Sequence, residues 1–304
     1  MISVIVLSRN NGDTLDGCLR SIIHSYGDKE IIVVDANSSD GTSSILEKYQ
    51  GKINVFYDEG KGIGIARNIG VARSRGDIVC FVDADAVCSK DHFIKIAEFF
   101  DEHPEVGVIN VHSDDFFSED NSCIQRLEAK IRRIREGSKY AFGRGESLSA
   151  SGCFISFRKK VFEEVGGFWV FPPYGADDND FSMKALAKGW KIGVIRLRSQ
   201  HYPRVSLRLI LKEMWGWGKG KACFVCKWRK HPLAKTLYKR SFLSKLVGND
   251  PLLVTIAAYF LAPIIAARYA IEGRSLSLYP YYVVRQCASF LGLLWGLTTW
   301  ARKI

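Results

Sequence analysis

The first 197 residues alternate between short β-branched runs and segments with the apolar periodicity of a helix. The runs typical of strands are residues 2–8, 30–35, 54–57, 77–82, 106–111, 151–157 and 190–197. The segments typical of helices are residues 14–25, 42–49, 64–74, 91–102, 122–136, 159–165 and 181–188. Strands that alternate with helices form a mostly parallel sheet covered by helices on both faces. The sequence therefore predicts an α/β fold.

Three polar clusters directly follow predicted strands. They are Ser8-Arg9-Asn10 after the first strand, residues 35–40 after the second and residues 83–85 after the fourth. The carboxyl ends of parallel strands meet at one edge of a sheet, and open α/β sheets bind their ligands there. We therefore expect a ligand site at this edge, on the basis of topology alone.

Asp83 and Asp85 flank Ala84 at the end of an apolar run. On extended backbone, residues two apart point the same way, and two such carboxylates suit a hard divalent cation. We expect Mn²⁺ or Mg²⁺ here, holding a diphosphate and neutralising a phosphate leaving group. His201 follows the last predicted strand and is a further candidate ligand. The alternatives are a solvated acidic pair and an ordinary packed or surface histidine.

A second acidic cluster contains Asp177, Asp178 and Asp180, and it follows Gly175. Acids at a helix N-terminus are favoured by capping and by the helix dipole, which is the simpler interpretation. The density of carboxylates favours a functional one, in which a positioned carboxylate deprotonates an acceptor hydroxyl. We expect Asp178 to be this base.

Gly60, Gly62 and Gly64 precede Arg67 and Asn68 in a flexible loop that leads into a predicted helix. A loop that ends at a helix N-terminus can face a phosphate. The sequence lacks the Gly-Lys-Ser/Thr of a Walker A motif. Both a phosphate-facing loop and a plain turn are compatible with this pattern.

The net charge of +11 comes from one segment. Residues 204–245 contain twelve Lys or Arg and one acidic residue, and the rest of the chain is balanced. Such a segment requires an anionic partner: lipid headgroups, a phosphate-bearing substrate or nucleic acid. Its tryptophans, which include Trp215 and Trp217, favour a membrane interface.

Two apolar runs follow, at residues 251–267 and 287–300. Both are shorter than the roughly 20 residues that a spanning helix needs. They predict a C-terminal helical hairpin in the membrane that returns Arg302 and Lys303 to the basic side, and they argue against nucleic acid as the partner. A buried helical pair and a homo-oligomer interface are the alternatives.

The eight cysteines have no spacing typical of a disulfide framework, which favours a reducing compartment. Cys223 and Cys226 form a single CxxC. A zinc site needs about four ligands, so the pair is interpreted as two helix residues, with zinc or redox chemistry as alternatives.

Five segments resemble family 2 glycosyltransferases in their order and spacing. They are VIVLSRN, VVDANSSDGT, GIARNIGVARSRGDIVCFVDADA, SGCFISFRKKVFEEVGGF and GADDNDFSMKALAKGW. The resemblance covers residues 1–200 and implies a GT-A type fold, a nucleotide-sugar donor, with UDP preferred to GDP, and inversion at the sugar carbon. It assigns the nucleoside to Ser8, Arg9 and Asp35, the diphosphate and the metal to Asp83 and Asp85, and the base to Asp178. From their places in the sequence, we add Arg67 to the expected donor site and His201 to the expected metal ligands.

The chain departs from the family pattern in three places. Ala36 replaces the usual second aspartate, Asp177 replaces the usual glutamate, and the QxxRW of processive synthases is absent. WGWGKGKA stands in its place and resembles the segment of membrane-bound, single-addition transferases. The resemblance therefore implies one sugar per event, onto polyprenyl phosphate or a lipid-linked glycan, with Asp177, Asp180, Trp215 and Trp217 supporting the acceptor.

We expect a catalytic domain at residues 1–203, a basic interfacial segment at 204–248 and apolar helices at 249–304. The expected location is the cell membrane, with the catalytic domain on the cytoplasmic side. Two other functions stay open. One is a nucleotidyltransferase on a similar nucleotide-binding sheet, and the other is a non-catalytic protein that binds membrane or nucleic acid.

Overall fold

A computed structural model of the chain describes residues 1–113, 122–140, 150, 152–171, 175–202, 206–239 and 241–300. Its strands are β1 (Ile2–Ser8), β2 (Lys29–Asp35), β3 (Asn54–Tyr57), β4 (Ile78–Asp83), β5 (Ala86–Val87), β6 (Val106–Ser113), β7 (Ile155–Arg158), β8 (Lys191–Leu197) and β9 (Gln200–His201). Its helices are α1 (Leu15–His24), α2 (Thr42–Lys48), α3 (Ile63–Ala72), α4 (His92–Glu102), α5 (Cys123–Tyr140), α6 (Lys159–Val165), α7 (Asp177–Ala187), α8 (Leu207–Trp228), α9 (Pro232–Lys239), α10 (Ser244–Val247), α11 (Pro251–Phe260), α12 (Ala262–Glu272) and α13 (Leu278–Thr299).

Seven of these strands form one sheet in the order β3-β2-β1-β4-β7-β6-β8. The first four are mutually parallel, and β6 is parallel to β8. β7 runs antiparallel to both of its neighbours, β4 and β6. The predicted α/β fold with a mostly parallel sheet is confirmed, and β7 is the strand that departs from it.

Helices cover both faces of the sheet, which explains why the central strands are apolar throughout. Successive side chains on a strand point to opposite faces. In β1, Val4 and Val6 therefore join a core with α1, α2 and α4, whereas Ile5 joins a second core with α3, α6 and α7. All three of these β1 side chains are fully buried.

The starts of two predicted elements are wrong, and one strand pair was not predicted. The strand predicted at 151–157 is a 3-10 turn at Gly152–Phe154 followed by β7, and residue 151 lies outside the described residues. The helix predicted from residue 181 begins at Asp177, so the second acidic cluster forms its first turn. The short antiparallel pair β5–β9 was not predicted, because two-residue strands carry no periodicity.

The chain divides into two compact units. The sheet unit contains Met1–Phe116, Arg144–Pro173 and Asp177–Tyr202, and the helical unit contains Phe117–Gly143, Tyr174–Ala176 and Pro203–Ile304. Three of the basic residues singled out in the sequence lie outside the described residues. They are Arg204 of the basic segment and, after the second apolar run, Arg302 and Lys303.

Within the helical unit, glycines bring α8 and α13 into close contact. A Cβ added to Gly218 would lie 2.0 Å from the carbonyl oxygen of Ser289, and one added to Gly292 would lie 2.2 Å from that of Trp215. Neither position has room for a methyl group. The glycines of WGWGKGKA therefore have a packing role in this unit.

A buried polar group lies in the same unit. Arg285 is 6% exposed, and its Nε lies 3.1 Å from Oε1 of Glu128. The hydroxyl of Tyr281 donates a hydrogen bond to the same carboxylate. The group connects α5 to α13.

The structure does not confirm the predicted C-terminal membrane hairpin. The first run is split into α11 and α12, which are bent by 53° at the break. In the part of the chain that the structure describes, no single helix is long and apolar enough to cross a membrane, whereas this bent pair meets the criterion by length and composition.

Candidate functional site

Ser8 and Asp35 lie side by side at the carboxyl ends of β1 and β2. Ser8 is buried, and its hydroxyl has no hydrogen-bond partner among the described residues. The Asp35 carboxylate is oriented by Ser38, which donates from its backbone N–H at 2.9 Å and from its hydroxyl at 2.6 Å. The structure thus brings two predicted donor-binding residues together.

The loops that follow these two strands are joined to each other. Asn10 donates from its N–H to the Ser38 hydroxyl at 2.8 Å, and its side-chain oxygen accepts from the Ser39 N–H at 2.8 Å. Arg9 has an exposed side chain, and its N–H donates to Asn11. Ser38 is a residue of this edge that sequence reasoning missed, although it lies inside the cluster that was singled out.

The ligand atoms of Asp83, Cys153 and His201 all lie within 4.8 Å of one another. Oδ1 of Asp85 lies 3.2 Å from Nε2 of His201. Ligand atoms on one six-coordinate cation are about 3 to 4 Å apart when each bond is about 2.1 Å long. The chemistry and the proximity of Asp83, Cys153 and His201 are therefore compatible with a divalent cation, and Asp85 lies beside His201.

The β5–β9 pair explains how His201 reaches the aspartates. Ala86, next to Asp85, is paired with His201 across the ribbon. The Tyr202 N–H then donates to the carbonyl oxygen of Asp85 at 2.8 Å. The three predicted metal ligands are thus close together, and Cys153 lies beside them. Sequence reasoning missed Cys153 because a lone cysteine inside a predicted strand carries no signal.

Arg67 is buried and pairs with one aspartate of the second acidic cluster. Its guanidinium pairs with Asp177 and lies over the rings of Phe81 and Phe168, with its Cζ 5.5 and 5.2 Å from the ring centroids. Burial lowers the pKa of this guanidinium, but the surrounding negative charges raise it by more. These charges belong to Asp177, Asp178 and Asp83.

The polar side chains that follow the glycine-rich loop, Arg67 and Asn68, contact other residues of the sheet unit. Arg67 pairs with Asp177, as described above. Asn68 and Phe168 exchange two hydrogen bonds, at 2.8 and 3.0 Å. A Cβ on Gly64 would lie 2.2 Å from the carbonyl oxygen of Trp169, so this glycine permits close approach of two chain segments. These contacts account for the motif structurally, and donor binding by Arg67 stays a prediction.

The three aspartates of α7 differ in exposure. Asp177 is 3% exposed and pairs with Arg67, and Asp180 is fully buried with Lys184 Nζ 3.1 Å from its carboxylate. Asp178 is half-buried and accepts a hydrogen bond from the Asn179 N–H at 2.8 Å. Asp178 is therefore the member of the cluster whose carboxylate is accessible to a substrate.

Trp215 and Trp217, predicted to support the acceptor, lie on α8 in the helical unit. Trp215 is half-buried and its ring centroid is 6.5 Å from that of Trp295, whereas Trp217 is 44% exposed. The role of the two tryptophans toward an acceptor stays a prediction.

Also in the helical unit, a Cβ on Gly220 would lie 2.8 Å from the backbone of Gly175, so these two glycines permit a close approach of their segments.

The CxxC motif lies within α8. Cys223 is buried, and burial raises the pKa of its thiol to about 12. The thiolate needed for zinc binding or redox chemistry is therefore disfavoured. Among the described residues, the group that could hold a metal is the one at Asp83, not this pair. This favours the interpretation of two helix residues.

The chain matches the family model for glycosyl transferase family 2 over residues 3–166, more than half of its length. It is 25% identical over 228 residues to a poly-β-1,6-N-acetyl-D-glucosamine synthase of Staphylococcus epidermidis, which covers 71% of this chain and 51% of the relative. A synthase of the same description from Staphylococcus aureus is also 25% identical, with the same coverage. The chain thus spans about half the length of these curated relatives.

Two solved structures share the fold. The mannosyltransferase PcManGT of Pyrobaculum calidifontis, in complex with GDP-Man and Mn²⁺, is 21% identical with a TM-score of 0.66, covering 97% of this chain and 86% of its own. TarS 1–349 of S. aureus, in complex with UDP-GlcNAc, is 19% identical with a TM-score of 0.50, covering 99% and 92%. The family-model match and the fold together lead to one conclusion: the chain belongs to glycosyl transferase family 2.

Proposed function

We propose that this protein is an inverting, metal-dependent glycosyltransferase that moves one sugar from a nucleotide-sugar to a lipid-linked acceptor. The observation that carries the proposal is the group formed by Asp83, Cys153 and His201, whose ligand atoms lie within 4.8 Å of one another. Asp83 stands at the end of β4, which is paired with the strand that carries Ser8. The pair of Arg67 and Asp177 lies in the same unit, and Asp178 follows Asp177 at the start of α7.

Each group has a distinct role in the proposed reaction. Ser8 and Asp35 bind the nucleoside. Asp83, Asp85 and His201 would hold Mn²⁺ or Mg²⁺, which would supply positive charge to the diphosphate leaving group. Arg67 fixes Asp177, and through it the first turn of α7. Asp178 then faces the acceptor.

The bond changes follow from these roles. Asp178 takes the proton of the acceptor hydroxyl, and the acceptor oxygen attacks the anomeric carbon from the side opposite the diphosphate. A carbon–oxygen bond to the acceptor forms while the bond to the phosphate breaks. The nucleoside diphosphate leaves with the electron pair, and the configuration at the carbon inverts. An acceptor phosphate that is already ionised would require no proton transfer.

Exposed apolar side chains support a membrane location for the acceptor. Phe260, Ile264, Ile271 and Leu276 are 67–89% exposed on or next to α11 and α12. The helical unit also carries the basic excess of residues 204–245. Exposed apolar and cationic side chains together suit an anionic bilayer surface. We place the protein at the cell membrane, with the sheet unit on the cytoplasmic side. Association of copies through the C-terminal helices stays a prediction.

A donor screen on detergent-purified full-length protein tests the activity. UDP- and GDP-sugars are incubated with Mn²⁺ or Mg²⁺ and a lipid extract, and the released nucleotide and the lipid products are measured. We expect nucleoside diphosphate release with one donor, lost in Asp83→Ala. Release of pyrophosphate instead would identify a nucleotidyltransferase and disprove the proposal.

A vesicle-binding experiment tests the location. We expect the full chain to cosediment with vesicles that contain anionic lipid, and to lose this binding when Phe260 and Ile264 are both replaced by Ser. Replacement of both by Leu is the matched control and keeps binding. Equal binding of the Ser and Leu variants would exclude this apolar surface, and binding to RNA without binding to vesicles would identify a nucleic-acid binder.

A further inference from the structure

We propose that Cys153 is a ligand of the divalent cation and that its sulfur shifts the preference of the site from Mg²⁺ toward thiophilic cations such as Zn²⁺, Co²⁺ and Cd²⁺. The inference rests on the proposed function for the presence of a cation at this site. It adds a residue that the sequence did not identify.

The first support is geometric. The Cys153 sulfur, the His201 ring nitrogen and an Asp83 oxygen form one group within 4.8 Å. Asp85 lies beside the group, with its Oδ1 3.2 Å from Nε2 of His201. The three grouped side chains come from β4, the 3-10 turn and β9. This mixture of one sulfur, one nitrogen and carboxylate oxygens is the set that proteins use for zinc and related ions.

The second support is the position of the 3-10 turn. Phe154, the next residue, is 1% exposed in the core that β1, α1 and α4 share. Its ring packs against the ring of His92, with centroids 5.2 Å apart. Cys153 itself is half-buried and packs against the same core. The turn is thus held by a buried anchor, which presents the sulfur at a fixed place.

The chemistry of the ligand sets the preference. Mg²⁺ takes oxygen ligands in near-ideal octahedral geometry, whereas a soft sulfur ligand favours thiophilic metals. When the metal–sulfur bond forms, the thiol proton is released to solvent. A site that contains Cys153 therefore binds Mg²⁺ less strongly, relative to Zn²⁺ or Cd²⁺, than the same site with a third carboxylate.

Cys18 provides a matched control close to the same site. It is fully buried, and its thiol donates to the backbone carbonyl of Asp83 at 3.5 Å. Its sulfur therefore lies near the aspartates without belonging to the ligand group. Cys123 is exposed on α5 and controls for metal binding by surface thiols.

The experiment titrates Co²⁺ and Cd²⁺ into full-length, chelator-treated protein without donor. We measure the thiolate-to-metal charge-transfer band and the metal affinity by calorimetry. We expect a band in the unmodified protein that is retained in Cys18→Ser and Cys123→Ser and lost in Cys153→Ser. The Cd²⁺ affinity of Cys153→Ser should fall at least about tenfold, since even loss of an outer-shell partner has this effect. Its Mg²⁺ affinity should change little.

A second variant keeps the test decisive if Cys153→Ser does not fold. Cys153→Asp replaces sulfur with oxygen and should raise the affinity for Mg²⁺ relative to Cd²⁺, again without the band. A band that persists in both variants would overturn the assignment, and so would an unchanged ratio of Cd²⁺ to Mg²⁺ affinity.

Donor binding, measured separately, distinguishes this proposal from the proposed function. A Cys153-dependent band in a protein that binds no nucleotide-sugar would support the sulfur ligand and disprove the transferase. Donor and Mn²⁺ binding without any such band would disprove the sulfur ligand alone.

Discussion

Each of the two compact units contains a buried arginine paired with a carboxylate, but the surroundings of the two pairs differ. In the helical unit, Arg285 pairs with Glu128, which also accepts a hydrogen bond from Tyr281. In the sheet unit, Arg67 pairs with Asp177, and the charges of Asp178 and Asp83 also raise the pKa of its guanidinium. The first pair adjoins a tyrosine, and the second adjoins residues of the proposed site.

A buried charge is costly unless it is paired, so each ion pair is compatible with a structural role. The pairs differ in their neighbours, because Asp177 precedes the proposed base Asp178 on α7, whereas Glu128 is shared with Tyr281. If the proposed function is correct, a change at Arg67 affects transfer as well as stability, and a change at Arg285 affects stability alone.

The largest effect should come from Asp178, the accessible carboxylate at the start of α7. We expect Asp178→Asn to lower the transfer rate by about 10²–10⁴-fold, the range typical of a general base. Nucleotide binding and the unfolding midpoint should stay unchanged, because Asp178 is half-buried and forms no part of the Arg67 ion pair. Single-turnover kinetics measure the rate. Full activity in this variant would sink the assignment of the base.

Replacing Arg67 should lower both the stability of the fold and the rate of transfer. Arg67→Met leaves Asp177 buried without its partner, and we expect the free energy of unfolding in urea to fall by about 3–5 kcal/mol. Adding Asp177→Asn should restore part of the stability but not the transfer rate, since Arg67 also acts on Asp178 and Asp83. Recovery of both properties in the double variant would show that the pair is only structural.

Replacing Arg285, which pairs with Glu128, should change stability alone. We expect Arg285→Met to lower the free energy of unfolding by about 1–3 kcal/mol, the cost of an unsatisfied buried group, because Glu128 keeps its hydrogen bond from Tyr281. The affinity of the folded fraction for nucleotide, measured by calorimetry, should equal that of the unmodified protein. A change in that affinity would contradict the contrast between the two groups.

The smallest effect should come from the hydrogen bond alone. Tyr281→Phe keeps the ring and the ion pair and removes one donor to Glu128, so we expect a loss of about 1 kcal/mol in the free energy of unfolding. Urea unfolding measures it beside Tyr279→Phe, a nearby position that is 42% exposed. A larger loss than in Arg285→Met would place the tyrosine, not the arginine, at the centre of this group.

The sheet could be predicted from the sequence because its strands are short apolar runs that end at polar turns. Ile2–Ser8 and Ile78–Asp83 were found within one residue for this reason. The start of α7 could not be predicted in this way. Asp177 and Asp178 have low helix propensity, and it is their position in the first turn that stabilises them there. Propensity therefore places the helix start too late.

The candidate site could be predicted only in part. The aspartates at the end of β4 follow from strand pattern and topology, which also predict Ser8 and Asp35. The pairing of Arg67 with Asp177 could not be foreseen, because it joins residues far apart in sequence through a loop with no periodicity. Cys153 was missed for a similar reason, since its place depends on the burial of Phe154 in a shared core.

The short β5–β9 ribbon has a consequence for the order in which the protein matures. Asp83 and Asp85 are synthesised early, but the strand that presents His201 pairs with them only after residues 200–202 have left the ribosome. The proposed metal site is therefore incomplete during most of translation of the sheet unit. A nascent chain cannot hold the cation with its full set of ligands, or turn over donor, before its last strand is in place.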